Sequence, residues 1–281
     1  MRASSSANGS AEWPPDDRLQ RTIQYSRTTA GSHRPASVYW MPAFAGMTAG
    51  GSVELSGKLR ILITGFGPFP GAPYNPTQPL VARLLRLRRP AFSDVELSGH
   101  IFHVTYSTVD RELPGLIARH RPHALLMFGL ADRTPHVRIE TRARNAVTPL
   151  WPDADRTRAR KGSIAGGADA IMFGPHTAKL LRAAVGTGVD ARASRDAGSY
   201  LCNYLSWRAI EAANTGDGPR LAAFVHVPPL ARGGASQRKD AAHRVTLEQL
   251  VDAGEAMLLE MVRLTRQAER ERSTPVGLVV S

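Results

Sequence analysis

Apolar residues from residue 58 onward fall into short dense runs that alternate with longer amphipathic runs. Dense runs of about 4–8 residues are typical of buried strands, and apolar positions three and four residues apart are typical of helices. Gly- and Pro-containing turns separate most of these runs. The pattern predicts strands at 59–66, 95–106, 123–130, 189–194 and 221–227, and helices at 80–87, 113–120, 176–185, from about 201 and from 247.

The order of these elements predicts the fold class. Strands that alternate with helices favour an α/β protein, in which a three-layer α/β/α sandwich surrounds a twisted, largely parallel (mixed) sheet in a single domain. Residues 145–170 carry Pro149, Pro152 and a glycine cluster, which predicts a long loop. The last helix has the clearest start, because Thr246 and Gln249 have the spacing of a capping box.

The chain divides by composition into three parts. Residues 1–57 are rich in Ser, Ala, Gly and Thr without sustained periodicity, so we interpret them as a disordered or spurious N-terminal extension. A folded domain is predicted over 58–272, followed by a flexible tail at 273–281. A single cysteine excludes an intrachain disulfide framework and favours a reducing, cytoplasmic setting. No apolar run is long enough to span a bilayer, so no membrane partner is expected.

The formal charge of +12 comes from 36 basic and 24 acidic residues. Most of the basic residues are arginines, and they are scattered along the chain. A nucleic-acid-binding protein would be expected to show a basic face with stacking aromatics in a recognisable module. Neither is evident, so we interpret the charge as solvated surface and expect no nucleic-acid partner.

The one cysteine, Cys202, lies where a nucleophile would lie. A Gly-containing turn at Gly198 opens an amphipathic run, which places Cys202 in the first turn of a helix, where the dipole favours a thiolate. The dense apolar run 221–227 ends near His226, followed by Pro228. Each residue alone is more often structural, but a thiol at a helix start and an imidazole at a strand end together indicate a nucleophile and its base.

A third group would orient the imidazole, and Glu140 is the best candidate. It lies downstream of the predicted strand 123–130. On the residues alone, an exposed loop glutamate paired with Arg142 or Arg144 is about as good an interpretation.

Other motifs give no cofactor or metal site. Gly65 and Gly67 follow a strand, but Pro70 occupies the third position of a dinucleotide-binding glycine motif and removes a backbone donor. Two His-x-x-His pairs lack a further carboxylate or thiol at metal-binding spacing. No G-x-S-x-G elbow is present. The sequence therefore predicts no cofactor and no metal.

Four segments of the chain resemble, in family order, the signature blocks of the pyroglutamyl peptidase I (pyrrolidone-carboxylate peptidase) family. They are ILITGFGPFPG…NP, FGLADRT…IETRARN, DAGSYLCNY and FVHVP, and the resemblance spans about residues 58 to 265. It implies a cysteine peptidase that removes the N-terminal pyroglutamyl residue from small peptides through a thioester acyl-enzyme.

The resemblance also implies roles for individual residues. Cys202 would be the nucleophile, His226 the general base and Glu140 its orienting carboxylate. Phe66 and Phe69 would enclose the pyrrolidone ring, which suits a flat, uncharged lactam. Gly129, Tyr200 and Leu201 complete the substrate-binding residues that the matched blocks imply.

Five positions depart from the family pattern around the expected pocket. They are Gly67, Pro70, Thr141, Leu150 and Trp151. The triad is intact, so the chemistry is better supported than the substrate. Two alternatives stay open: a related cysteine amidase that acts on another small cyclic or N-acyl amide, and a non-catalytic binding protein on the same fold. A homo-oligomer is also left open.

Overall fold

A computed structural model describes residues 58–69, 71–230 and 245–273 of the chain. The predicted N-terminal extension, Pro70 and nearly all of the predicted C-terminal tail lie outside the described residues. The described residues fall within one compact unit of the chain, Leu55–Ser281.

Strands and helices alternate through the described part of the chain. The strands are β1 (Leu59–Phe66), β2 (Val95–Phe102), β3 (Ala124–Leu130), β4 (Val137–Glu140), β5 (Arg142–Arg144), β6 (Ala170–Met172), β7 (Ala191–Ser194) and β8 (Leu221–Val227). The α-helices are α1 (Thr77–Leu84), α2 (Tyr106–His120), α3 (His176–Val185), α4 (Leu201–Ala213) and α5 (Leu247–Ser273), and a short 3-10 helix spans Pro90–Phe92.

Six of the strands form one mixed sheet in the order β2-β1-β3-β8-β4-β7. All neighbouring pairs are parallel except β4 and β8, which are antiparallel. Helices α1, α3 and α5 pack on one face of this sheet, and α2 and α4 pack on the other. The three-layer α/β/α sandwich with a largely parallel sheet is therefore confirmed. None of the helices in these ranges has the length and apolar character needed to cross a membrane.

Several predicted boundaries are wrong around α2. The strand predicted over 95–106 ends at Phe102, and the helix predicted from 113 begins at Tyr106. Thr105 caps this helix, since its hydroxyl accepts a hydrogen bond from the backbone N–H of Thr108 at 3.2 Å. The first turns of α2 carry few apolar residues, so the cap and not the hydrophobic pattern marks the start of the helix.

The long loop over 145–170 is confirmed in outline and is held in place by Asn145. The side-chain oxygen of Asn145 accepts hydrogen bonds from the backbone N–H groups of Ile164 and Ala165. Its side-chain nitrogen donates to the carbonyls of Ala165 and Ala168. Because both ends of the loop pair as β5 and β6, the loop is closed at its base.

Candidate active site

The candidate site forms where β3, β8 and β4 lie side by side. His226 in β8 pairs in register with Gly129 in β3 and with Arg138 in β4. Side chains at paired positions of neighbouring strands project from the same face of a sheet, here the face covered by α4. Phe224 lies on that face too, two residues before His226, with the ring centroids 5.0 Å apart. The strand pairing thus brings residues of three neighbouring strands together at His226.

Cys202 reaches this face from the first turn of α4. A Cβ built on Gly129 would lie 2.7 Å from Cys202 Sγ and 2.6 Å from Phe224 Cζ. Any side chain at position 129 would therefore collide with both groups. Gly129 makes room for the thiol beside the strand that carries His226, which explains why glycine is needed there.

Burial raises the pKa of the Cys202 thiol to about 12. The negative charge of Glu140 adds to this rise, whereas Arg138 and the cysteine's own backbone N–H oppose it. The expectation that a helix start makes this residue a thiolate is wrong for the free protein. Desolvation outweighs the helix dipole because the residue, although partly exposed, places its thiol in the packed interior.

Glu140 is the last residue of β4, and its side chain is fully buried. Its Oε1 lies 2.7 Å from Nδ1 of His226. The alternative of an exposed loop glutamate paired with Arg142 or Arg144 is therefore wrong. An imidazole that donates Nδ1–H to this carboxylate keeps a lone pair on Nε2, the nitrogen that can act as a base.

The surroundings of the His226 imidazole favour its neutral form. Burial lowers its pKa, and nearby Arg138 lowers it further, whereas the hydrogen bond to Glu140 raises it. A neutral imidazole is the form that can accept a proton from a thiol.

Asn203 fixes the helix that carries the thiol, and sequence reasoning missed it. Its side chain is fully buried and accepts a hydrogen bond from the N–H of Arg144 while donating to the carbonyls of Arg144 and Ala146, all at 2.8–2.9 Å. These contacts tie the first turn of α4 to β5. The signal that could have found it is asparagine, a poor helix former, directly after Cys202.

The N-terminus of α4 has no side-chain cap. Gly198 has a φ of +83°, which favours glycine, and its N–H donates to the carboxylate of Asp196 at 3.0 Å. Tyr200 at the N-cap position makes no capping hydrogen bond through its side chain. Free N–H groups at a helix N-terminus can stabilise a developing oxyanion.

Tyr200 and Leu201 differ in what they can offer a substrate. The hydroxyl of Tyr200 donates to the carbonyl of Pro152 at 2.8 Å, and the half-buried ring contacts Tyr106 edge-on. The Leu201 side chain is buried in the core, so only its backbone can meet a substrate.

Phe66 and Phe69 also differ. Phe66 is 2% exposed and packs against Phe102 with ring centroids 6.0 Å apart, so it presents little surface to a ligand. Phe69 is half-buried, and two backbone hydrogen bonds with Ala72 fix it in a tight bridge. Both rings belong to the apolar cluster that includes Cys202. Phe69 is therefore the better candidate for a pocket wall.

The residues that depart from the family pattern occupy different surroundings. Thr141 donates to the carbonyl of Ser194 from both its N–H and its hydroxyl. Gly67 is held by backbone contacts to Phe102 and by the side chain of Asn75. Leu150 and Trp151 are 74% and 60% exposed, so they add apolar surface to the long loop.

A thiol, an imidazole and a carboxylate gathered on one face of an α/β sheet are the groups that a thiol-dependent hydrolase requires. The model of the pyroglutamyl peptidase family matches residues 59–262. The chain belongs to the pyroglutamyl peptidase family.

Individual relatives agree with this family. A pyrrolidone-carboxylate peptidase of Pyrococcus furiosus is 28% identical over 171 residues, which cover 60% of this chain and 81% of that protein. Human pyroglutamyl-peptidase 1 is 27% identical over 69% of this chain and 91% of its own length. Among solved structures, a pyrrolidone carboxyl peptidase of Fervidobacterium islandicum is similar with a TM-score of 0.66 at 27% identity, covering 73% of this chain and 99% of that one.

Proposed function

We propose that Cys202, His226 and Glu140 carry out the hydrolysis of the bond that follows an N-terminal pyroglutamyl residue. Family membership makes the protein a cysteine peptidase that removes N-terminal pyroglutamate. The observation that carries the assignment of residues is the 2.7 Å contact between His226 Nδ1 and Glu140 Oε1. It leaves Nε2 as the proton acceptor on the sheet face that also holds the only cysteine of the chain.

The proposed reaction begins with proton transfer from the thiol to Nε2 of His226 as Sγ attacks the pyroglutamyl carbonyl carbon. Burial raises the pKa of the Cys202 thiol, so the proposed reaction starts from the protonated thiol and needs His226 to take its proton. Backbone N–H groups in the first turn of α4 stabilise the oxyanion. His226 then returns the proton to the departing amine as the C–N bond breaks and a thioester remains.

The second half of the reaction releases the acyl group. His226 takes a proton from water as the water oxygen attacks the thioester carbonyl. The C–S bond breaks, pyroglutamate leaves, and the proton returns to Sγ. Glu140 stays ionised throughout and stabilises the imidazolium that forms in each half.

The apolar surroundings of the thiol suit an uncharged lactam. Phe69 and the apolar cluster around Cys202 supply contact area, and a charged glutamate would lose its hydration there. The single cysteine also supports a reducing, cytoplasmic setting for the enzyme.

The test is hydrolysis of a fluorogenic pyroglutamyl amide by the full chain, beside a panel of open-chain aminoacyl and other N-acyl amides. We expect turnover of the pyroglutamyl amide and none of the open-chain glutamyl amide. Turnover of another cyclic or N-acyl amide alone would establish the related amidase instead. Binding without turnover of any amide would establish the non-catalytic alternative.

A further inference from the structure

We propose that Arg138 is a positioning residue of this active site: its guanidinium shares Glu140 with His226 and keeps the imidazole and the thiol in the states that the reaction needs. The inference rests on the proposed function for its kinetic consequence. The effect of Arg138 on the protonation of the thiol and the imidazole can be tested without a substrate.

The sheet register places Arg138 directly beside His226. Strands β4 and β8 are antiparallel, and residues 138 and 226 are partners. Because strand side chains alternate between faces, Arg138 and Glu140 project from the same face, while Ile139 between them enters the opposite core. Nη2 of Arg138 lies 3.1 Å from His226 Nδ1 and 3.3 Å from Glu140 Oε1. The guanidinium therefore contacts both partners of the catalytic hydrogen bond.

The hydrogen-bonding capacity of the imidazole decides which contact forms. Nδ1 carries either one proton or one lone pair. With Nδ1–H donated to Glu140 at 2.7 Å, Nδ1 has no lone pair left for Arg138, so the guanidinium acts on the pair through its charge, 3.3 Å from Oε1. A donation from Arg138 to Nδ1 would move the proton to Nε2 and remove the base. The shorter Glu140 contact selects the productive tautomer, and Arg138 reinforces that carboxylate.

Arg138 also supplies a positive charge beside the Glu140 carboxylate, which makes few other polar contacts. Glu140 is fully buried, and among the described residues its Oε2 has no hydrogen-bond partner. Arg138 is 22% exposed, so its charge is only partly screened by solvent. A buried carboxylate without such a partner would be costly to keep ionised.

Four charged or titratable groups determine the protonation of the site. Glu140 and Arg138 face His226 from β4. Asp196 lies in the turn before α4, and Cys202 lies on α4. The neighbouring strand β3 contributes Gly129, which carries no charge. Glu140 and Asp196 raise the pKa of His226, whereas Arg138 lowers it. Glu140 raises the pKa of Cys202, and Arg138 again lowers it. Arg138 thus lowers the pKa of both groups, which favours a neutral imidazole and makes the thiol easier to ionise.

The substrate-free test is the pH dependence of alkylation by iodoacetamide. Cys202 is the only cysteine of the chain, so the reaction reports this thiol alone. We expect Arg138→Gln to slow alkylation about tenfold at each pH below the ionisation of the thiol, which corresponds to an upward shift of about one pH unit. Arg138→Met keeps the aliphatic stem without the charge and should give the same shift. Arg138→Lys should restore most of the wild-type curve.

Arg192→Gln is the matched control. Arg192 is the partner of Arg138 in β7, but it is exposed and paired with Asp190. Removing this arginine should leave the alkylation curve unchanged. Identical curves for wild type, Arg138→Gln and Arg138→Met would overturn the proposal, as would a shift of equal size in Arg192→Gln or a lack of rescue by lysine.

The kinetic readout is the acidic limb of the kcat/KM profile with a pyroglutamyl amide. Without Arg138 the pKa of His226 rises, so the imidazole stays protonated to higher pH and the acidic limb moves upward. A fall in activity without a shift of the acidic limb would mean that Arg138 has only a structural role, and it would contradict the proposal. Failure of the wild type to hydrolyse the amide would reject the proposed function, while the alkylation curves would still decide the role of Arg138.

Discussion

The two faces of the sheet differ sharply where β4 and β8 meet. On the face toward α1, α3 and α5, Ile139 and Val225 are partners in register and are fully buried among apolar side chains. One residue along each strand, on the face toward α4, Arg138 and His226 are partners and contact Glu140. Because strand side chains alternate between faces, the same two strands contribute to the apolar core on one face and to the candidate active site on the other.

Buried polar groups are tolerated on the α4 face because they bind one another. The imidazole donates to Glu140, and Arg138 supplies a positive charge beside that carboxylate. Asn203 satisfies three backbone groups where α4 meets β5. Removing one member leaves another unpaired, which costs more than a single hydrogen bond.

The largest contrast is expected between His226→Ala and Val225→Ala. Loss of the proposed general base should lower kcat of the folded variant by about three orders of magnitude or more, in addition to the cost in stability of leaving the buried Glu140 without its imidazole partner. Val225→Ala should instead lower the free energy of unfolding by about 1–3 kcal/mol and leave the kcat of the folded enzyme nearly unchanged. Denaturant unfolding and steady-state kinetics on both variants check this. An equal loss of kcat in both variants would show that the two faces of the sheet do not differ in their effect on catalysis.

Gly129→Ala should be the next most damaging change. The new Cβ would lie within 2.7 Å of both Cys202 Sγ and Phe224 Cζ, so the thiol must move away from the base. We expect kcat/KM to fall by about two orders of magnitude, since small misplacements of reacting groups cost that much. Gly162→Ala is the control, because a Cβ there has no neighbour within 4 Å. Wild-type kinetics in Gly129→Ala would show that the thiol does not depend on this opening.

Glu140→Gln should be milder than loss of His226, because an orienting group assists proton transfer without performing it. Kcat should fall by about 10- to 1000-fold. Glu140 raises the pKa of His226, so its loss should move the acidic limb of kcat/KM to lower pH, opposite to the shift expected for Arg138→Gln. Glu112→Gln removes the carboxylate of another histidine pair, His100–Glu112, and serves as the control. Unchanged kinetics would return Glu140 to a structural role.

The smallest effect is expected in the pocket. Phe69→Ala should raise KM for a pyroglutamyl amide about 10- to 100-fold, equivalent to roughly 1.5–3 kcal/mol of lost apolar contact, with little dependence on salt. Phe66→Ala should chiefly lower the free energy of unfolding, by about 3–5 kcal/mol, because that ring is almost fully buried. A KM that falls at low salt together with a preference for open-chain glutamyl substrates would point to recognition by charge instead.

Sequence patterns predicted the parts of the fold that carry dense or periodic apolar residues. Strands β1 and β8 and helix α3 occur where they were predicted, and Cys202 lies in the first turn of α4. Strands β4, β5 and β6 were missed because runs of three or four residues are too short to show a period. The strand that supplies both Glu140 and Arg138 could therefore not be recognised from local patterns.

The electrostatics of the site could not be predicted from the sequence for a different reason. Glu140 and His226 are 86 positions apart, and only the pairing of β4 with β8 brings them together. The helix start predicted a thiolate at Cys202, but the depth of burial that raises its pKa is a property of tertiary packing. The family blocks predicted Cys202, His226 and Glu140 as the reacting residues, and only the structure shows the surroundings that shift their protonation.

The most direct test of the central claim compares wild type with Cys202→Ala in turnover of a fluorogenic pyroglutamyl amide, with acid-quenched samples analysed by mass spectrometry. The wild type should carry a pyroglutamyl adduct on the peptide that contains Cys202. Cys202→Ala should show neither adduct nor turnover, although it should unfold at the same midpoint as the wild type. Undiminished turnover by Cys202→Ala would contradict the central claim.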